Sequence, residues 1–534
     1  MFEQSVFGRS PAPASLASIW RSDRVRAAAR LLLAGLPWLW AVGYCFPPLN
    51  HDVAALLQFA QRMLHGERLY VDLIDINPPM VFFLDTVPVA AAQLLGISSV
   101  TTLIGFTLLL CVVTTVWSLA LLRRLDAGPL AMTLAPALIG FALIVYPMHS
   151  FGQREHLLLA FALPYALAAA MRAGTPVPQR LGAAHEVAIA LYALIGITLK
   201  PHFAAVPLAF ELIVLAGAGW RALLRSPQPW LIFAGCVAYV AATWIWLPDY
   251  FRVVVPLVAQ CYERTDLAGM AALLTQDQAP ALLLPLLPLG LIAFRLPGAR
   301  LSRVLVGLVL AATAAGIAQG KGWDYHFFAG RGALALLVGV VAIEGAAALQ
   351  LRVRGWAALG VAATVLAVLF AFTGVLNPPF KGPRNFVNTA ASRFLPVVRA
   401  NATGKPVLWL TTSIYPQFPV LNYTDSTLAM KFMSLWVLPS LYGPADAPGG
   451  AMRYHDPAAM GTAERMVYQD VTASLAREHP ALVLVAQAST EGGFHNLPFD
   501  YLAYFGRDPG FAAEWQHYAL LTRIDGIGVY RRQD

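Results

Sequence analysis

Charge is what this sequence has least of. Only 12% of its 534 residues are Asp, Glu, Lys or Arg, against about 25% in a soluble globular domain, while 58% are hydrophobic and the mean hydropathy is +0.61. That composition excludes a disordered chain, a nucleic-acid-binding module and an ordinary cytosolic enzyme. Cysteine is scarcer still, with four residues. Cys45, Cys111, Cys236 and Cys261 are scattered, three of them inside apolar runs, which leaves neither a disulfide framework nor the paired spacing of a zinc site. Internal repeats, low-complexity tracts and a Gly-rich phosphate loop are absent as well. Lysine supplies only five of the 37 basic residues, an arginine bias that reads as a GC-rich bacterial genome.

What the chain has instead are apolar runs of membrane length, over about 31–48, 100–122, 129–148, 156–171, 184–199, 203–219, 230–247, 280–295, 303–319, 328–349 and 356–376. They predict eleven spans. The basic N-terminal residues 1–30, with Arg9, Arg21, Arg24, Arg26 and Arg30, precede the first run, which has no small-residue cleavage site and reads as an anchor rather than a signal peptide. A twelfth apolar stretch, Pro79 to Leu95, carries Asp85 and Pro88 near its middle. At about 1.5 Å per residue it reaches about 25 Å, short of the roughly 30 Å hydrocarbon core. Charge decides its place. If it lies in the interface, Arg123, Arg124, Arg172, Arg180, Arg221, Arg225, Arg295, Arg300, Arg303, Arg352 and Arg354 all fall on the cytoplasmic side with the N-terminus, as the positive-inside rule requires. The expected fold is therefore a polytopic α-helical membrane domain over 31–376, N-terminus inside and C-terminus outside. Its net charge of +8 then marks cytoplasmic loops rather than a nucleic-acid partner.

Residues 377–534 are more polar, and no stretch among them is long enough to span. Strand-like runs at Val407–Thr411 and Leu482–Ala486, a helical segment around Ala463–Arg477 and a hairpin turning at Asp525-Gly526 predict a soluble α/β domain outside the membrane. Its segment Leu428–Tyr442, rich in Met, Trp and Leu, reads first as that domain's own core and second as a surface against the membrane domain.

The outer face predicted by this topology comprises a first loop at 49–99, a second near 248–279, and three tight turns. Arg154, Glu155, Lys200, His202, Lys321, Trp323, Asp324, Tyr325 and His326 fall in those turns, and Arg331 lies just beyond the last. Cations in short turns at membrane level are explained by headgroup anchoring or by an anionic ligand. In the first loop the apolar positions 53, 56, 57, 60 and 64 form one helix face, with Asp52 placed to cap it and Gly66 to end it. A second helix is expected to open with Asn77 as its cap and Pro78-Pro79 in its first turn.

The order His51-Asp52, helix, Gly66, Leu69-Tyr70, Asp72, Asp75, Asn77-Pro78-Pro79 resembles the first loop of GT-C glycosyltransferases. Within them it is similar to the polyprenyl-phosphate-sugar-dependent group, glycosyltransferase family 39-like, that includes protein O-mannosyltransferases and the lipid A aminoarabinose transferase. The resemblance implies a bacterial inner-membrane enzyme with its active site facing the periplasm, which moves a sugar from a polyprenyl-phosphate-linked donor to a periplasmic cell-envelope acceptor. By resemblance Asp52 takes the catalytic base position and Pro78-Pro79 the loop motif. Two residues depart from the pattern: Val53 stands where many members have a second acidic residue, and Asn77 where many have lysine. The leaving group in such a transfer is a phosphate monoester, a stable anion that requires no protonation, so one carboxylate suffices for a single inverting displacement. The phosphate needs cations, and Arg154, Lys200, Lys321 and Arg331 are expected to converge on it, with His202 and His326 as further donors. The expected partners are the lipid-linked donor, membrane lipids and the acceptor. No organic cofactor and no metal ligand set are assigned, with a divalent cation left open. A flippase of polyprenyl-linked saccharide and an oligosaccharide ligase using a pyrophosphate-linked donor are the alternative functions.

Overall fold

In lipid the backbone has no water to bond, so each apolar run must satisfy its own amides, and a helix does so within one segment. The computed structural model describes residues 23–125, 127–174, 181–264, 269–275, 278–372, 381–487, 494, 497 and 499–533. Most of the expected basic N-terminus, including Arg9 and Arg21, lies outside the described residues, as do Arg180 and residues 377–380. Helices occupy all eleven apolar segments, for example Ser99–Arg124, Ala183–Thr198, Ala205–Ala218, Pro227–Trp246, Arg300–Ala318 and Phe328–Ala348. Seven of the described helices are long and apolar enough to cross a membrane. Shorter ones, such as the 16-residue Ala183–Thr198, reach only about 24 Å unaided.

One helix organises the bundle. Arg154–Arg172 is buried at every position and packs against Ser99–Arg124, Ala183–Thr198, Ala205–Ala218, Arg300–Ala318 and Phe328–Ala348. Close approach is built in at Gly196, where a Cβ would meet the Cβ of Phe161 at 2.6 Å. Glu211, an acidic residue inside an apolar helix, is held by Arg172, whose Nη1 donates to its Oε2 at 2.8 Å, and by the Tyr165 hydroxyl. A charge in such surroundings is retained only when it is paired.

The first loop folds as α1 (His51–Leu64) and α2 (Met80–Leu95), which pack on each other, with α2 also against Ser99–Arg124. The cap of α1 is Asn50, whose Oδ1 accepts from the amides of Asp52 at 2.9 Å and Val53 at 3.3 Å. This corrects the expectation that Asp52 caps the helix. Both residue types make good caps, and with Asn50 taking that role the Asp52 carboxylate is released for other contacts. Gly66 follows the helix end at φ 98°, a conformation that suits glycine. α2 opens at Pro79 without a side-chain cap, so Asn77 is not the cap the sequence implied.

Residues 381–533 carry a five-stranded sheet of order β2-β1-β3-β5-β4. β1 (Pro406–Leu410) runs parallel to β2 (Thr427–Leu428) and β3 (Leu482–Ala486), and β5 (Ile527–Arg532) runs antiparallel to β3 and β4 (Tyr518–Ile524). Asp525 and Gly526 both have positive φ at the β4–β5 turn, the conformation that a two-residue hairpin of right-twisted strands needs. The segment 428–442 is more than this unit's own core, which corrects the first reading of it. Gln58 donates to Ser426 O at 2.8 Å and accepts from Leu428 N at 3.1 Å, Arg62 donates to Met430 O at 2.8 Å, and Ile74 N donates to Lys431 O at 2.8 Å. Asn422 adds a bond to Ala54 O at 2.9 Å. The C-terminal unit is thus sewn to the first loop by backbone groups that buried polar side chains satisfy.

Candidate active site

Between the first loop, three short turns of the bundle and the C-terminal unit lies a cavity of about 1190 Å³. His51, Asp52, Asp75, Asn77 and Pro78 line it from the first loop. Arg154, Lys200, His202, Lys321, Trp323, Asp324, Tyr325 and His326 line it from the turns. Residues more than a hundred positions apart are brought together because α1 begins beside the turn that precedes Arg154–Arg172.

The carboxylate at the centre is held by one oxygen. Gln153 Nε2 donates to Asp52 Oδ2 at 2.7 Å and to Asn50 Oδ1 at 2.9 Å. His51 Nε2 stands 3.9 Å from the other oxygen, Oδ1. Arg154 Nη2 is 4.0 Å from Oδ2, and its Nη1 donates to Asn77 Oδ1. Asn77 in turn donates its side-chain nitrogen to Asp75 Oδ1 at 2.7 Å and its backbone amide to the same atom at 2.8 Å. Burial pushes the Asp75 carboxyl up and the two Asn77 bonds oppose it. Asn77 therefore links Arg154 to Asp75 beside the Asp52 carboxylate. Tyr70 lies behind this row, its hydroxyl donating to Asn77 O at 2.7 Å.

The other cations differ in how firmly they are held. Lys200 Nζ donates to Glu155 Oε1 and Gln319 Oε1, each at 2.6 Å, and burial pushes its ammonium down to about 8 although Glu155 opposes that shift. Lys321 Nζ donates to Tyr262 O at 2.6 Å and sits 4.3 Å from the centre of the Tyr262 ring. Glu155 is fully buried and pairs with Lys200.

Five sequence candidates fall outside the cavity wall, the buried Glu155 among them. Arg331 is taken by Asp324, donating to Asp324 Oδ2 at 2.8 Å and to its backbone oxygen at 2.9 Å, so it orders the turn behind the cavity rather than facing a ligand. Asp72 pairs with Arg68 at 3.1 Å, and that partner holds its carboxyl below the usual range against a burial effect. Tyr70 and Pro79 support the loop from behind. Sequence reading also missed residues that the fold delivers: Gln153, which bonds to Asp52 from behind the wall, and on the wall itself Gln319 from the bundle, Tyr250, Val254, Val255, Val258 and Tyr262 from the second long loop, and Thr412, Ser413, Ile414, Ser434 and Trp436 from the C-terminal unit. Gln153 sits one residue before Arg154 in a turn already suspected, so its neighbourhood was signalled and its role was not.

Chemically the cavity combines a carboxylate with one oxygen tied, three cations within reach of one space, and an apolar flank made by Leu56, Ile76, Val254, Val255 and Val258. Among the described residues no cluster of three His, Cys, Asp or Glu side chains is placed to hold a metal ion.

No protein-family model matches the chain, and no curated protein matches it. Solved structures do. ArnT from Cupriavidus metallidurans bound to undecaprenyl phosphate is similar to this chain at 15% identity and TM-score 0.57, over 95% of this chain and 98% of that one. The same protein in its apo state is similar at 15% identity and TM-score 0.50, over the same shares. Nearly end-to-end coverage of both chains includes the helical bundle, the first loop and the C-terminal unit together, and the fold of this chain is accordingly the GT-C fold of membrane glycosyltransferases.

Proposed function

We propose that the chain is an inverting membrane glycosyltransferase that moves a sugar from a polyprenyl-phosphate carrier to a hydroxyl of a periplasmic cell-envelope acceptor. One observation carries this reading: Asp52, Arg154, Lys200 and Lys321 share a single cavity whose flank is apolar. A lipid phosphate needs that combination of cations and hydrocarbon, and a hydroxyl nucleophile needs the carboxylate. The similar ArnT structure with bound undecaprenyl phosphate supports the lipid as ligand.

In the proposed reaction the carrier's phosphate sits among Arg154, Lys200 and Lys321, and its prenyl chain leaves along Val254, Val255 and Val258. Asp52 Oδ1, the oxygen that Gln153 leaves untied, takes the proton of the acceptor hydroxyl. The acceptor oxygen bonds to the anomeric carbon as the bond from that carbon to the phosphate oxygen breaks. The electron pair departs with the polyprenyl phosphate, whose added negative charge the cations stabilise more strongly than they do the ground state. The arginine distribution supports a cytoplasmic N-terminal side and, with it, a cavity that opens on the periplasmic face of the inner membrane.

The test is a reconstituted assay. Purified protein in nanodiscs should bind undecaprenyl phosphate, and Arg154→Gln should weaken that binding at least tenfold. Membrane extracts supplying lipid-linked sugars should support transfer by the native chain and not by Asp52→Asn. Binding unaffected by Arg154→Gln, together with full turnover in Asp52→Asn, would overturn the assignment.

A further inference from the structure

The cavity is chemically two-sided. Every charged group on its wall comes from the first loop, the second outer loop or the bundle turns, whereas the C-terminal unit contributes Thr412, Ser413, Ile414, Met433, Ser434, Trp436 and Pro439, all uncharged. These residues occupy a particular place in that unit. Thr412 to Ile414 follow the carboxyl end of β1, and Met433 to Trp436 lie on the chain that continues from β2, its parallel neighbour. The crevice beyond the carboxyl ends of parallel strands is where open α/β sheets present their loops to ligands.

The two loops are fixed to each other. Leu435 N donates to Thr411 O at 2.8 Å, Ser434 Oγ donates to Thr412 O at 2.9 Å, and the Gln417 side chain donates to Met433 O. Ser413 is exposed and Trp436 half-exposed, so a hydroxyl and an indole remain accessible on a rigid frame. Trp436 also continues a row of rings: it meets Tyr262 edge-to-face at 5.9 Å, and Tyr262 meets Trp323 edge-to-face at 6.4 Å. Lys321 holds the middle ring through the Tyr262 backbone oxygen. Aromatic faces beside neutral hydroxyls, on a unit that brings no charged side chain to the cavity wall, suit a ligand that has apolar C–H faces and many hydroxyls and no charge of its own.

Resting on the transferase reading above, we infer that the Trp436–Ser413 wall is a subsite for an uncharged sugar ring. Two sources can present such a ring: the sugar carried on the lipid phosphate and a neutral glycan acceptor.

Full-length protein in nanodiscs tests this with two probes. In one arm it is applied to an array printed with uncharged, phosphorylated and carboxylated glycans. In the other, synthetic undecaprenyl-phosphate-glucose is compared with bare undecaprenyl phosphate. The expected result is that Trp436→Ala weakens, by about tenfold, as for loss of one stacked ring, either binding to uncharged glycans, which identifies the acceptor, or the extra affinity for the glucosylated lipid, which identifies the donor sugar. Trp436→Phe should restore most of it, and bare undecaprenyl phosphate should bind all three proteins alike. If Trp436→Ala leaves both arms unchanged, or if only charged glycans bind, the subsite assignment is wrong. If bare undecaprenyl phosphate fails to bind the native protein, the transferase reading fails instead, and the glycan arm still reports on Trp436 by itself.

Discussion

Gln153 and Asp52 lie a hundred residues apart and are joined by a 2.7 Å hydrogen bond from amide to carboxylate. The same nitrogen reaches Asn50, the cap of α1. The helix start and the carboxylate are therefore set by one side chain, which makes Gln153 a positioning residue in the proposed chemistry. Gln153→Leu removes the bond and keeps the bulk. Transfer is expected to fall about 10- to 100-fold in kcat, as for a group that orients the base, with the Kd for undecaprenyl phosphate unchanged. Equal loss of both would show that the residue only supports the fold.

Asp52→Asn keeps the Gln153 contact within reach and deletes the proposed base. Proton removal by a positioned carboxylate contributes about 10²- to 10⁴-fold, so turnover should drop by that range while the thermal unfolding profile stays close to native. Single-turnover kinetics with saturating donor would read it directly.

Lys200 supplies a pH test. Burial pushes its ammonium down to about 8, so in the empty cavity it is charged below that pH and loses its proton as pH rises through it. The affinity for undecaprenyl phosphate should therefore hold up to about pH 7 and weaken progressively to about pH 9. A bound phosphate favours the charged form and moves the decline upward. Lys200→Arg, which stays protonated throughout, should flatten the profile, and isothermal titration across that range measures it. An identical decline in both proteins would place the titrating group elsewhere.

At the seam between the first loop and the C-terminal unit, Gln58 satisfies both Ser426 O and Leu428 N from a buried position. Gln58→Leu leaves those backbone groups without their partner, at about 1–3 kcal/mol for each buried group left unpaired. The expected outcome is faster hydrogen exchange at 426–432 and easier proteolysis of the C-terminal unit. Unchanged protection there would show that the seam is held by its apolar contacts alone.

Much of this arrangement was legible in the chain, and the reason is local. The eleven apolar segments declare themselves by hydropathy, the Asp525-Gly526 hairpin by its turn residues, and Asp52 by its position after the first span and before Pro78-Pro79. Arg154, Lys200 and Lys321 stood out because cations are rare in outer turns. Pairings were harder to read. Asn50 and Asp52 are equally plausible caps on paper, and the fold chose Asn50 because Gln153 arrives from another helix to hold both. Glu155 chose Lys200, and Arg331 chose Asp324, through contacts that depend on how helices cross. Trp436 and Ser413 carry no local mark of a ligand site at all, since their meaning comes from the cavity they share with Tyr262 and the first loop.

The seam has a consequence for how such an enzyme can be rebuilt. Because 422–432 bonds to α1 and to the strand-like stretch at Ile74, the roof of the cavity and the floor that bears Asp52 travel as one piece. A chimera that takes its tail from a relative must carry residues 49–78 along with it. Grafted alone, the foreign tail would lose its bonds to that floor and shift the Asp52 carboxylate against the rest of the cavity.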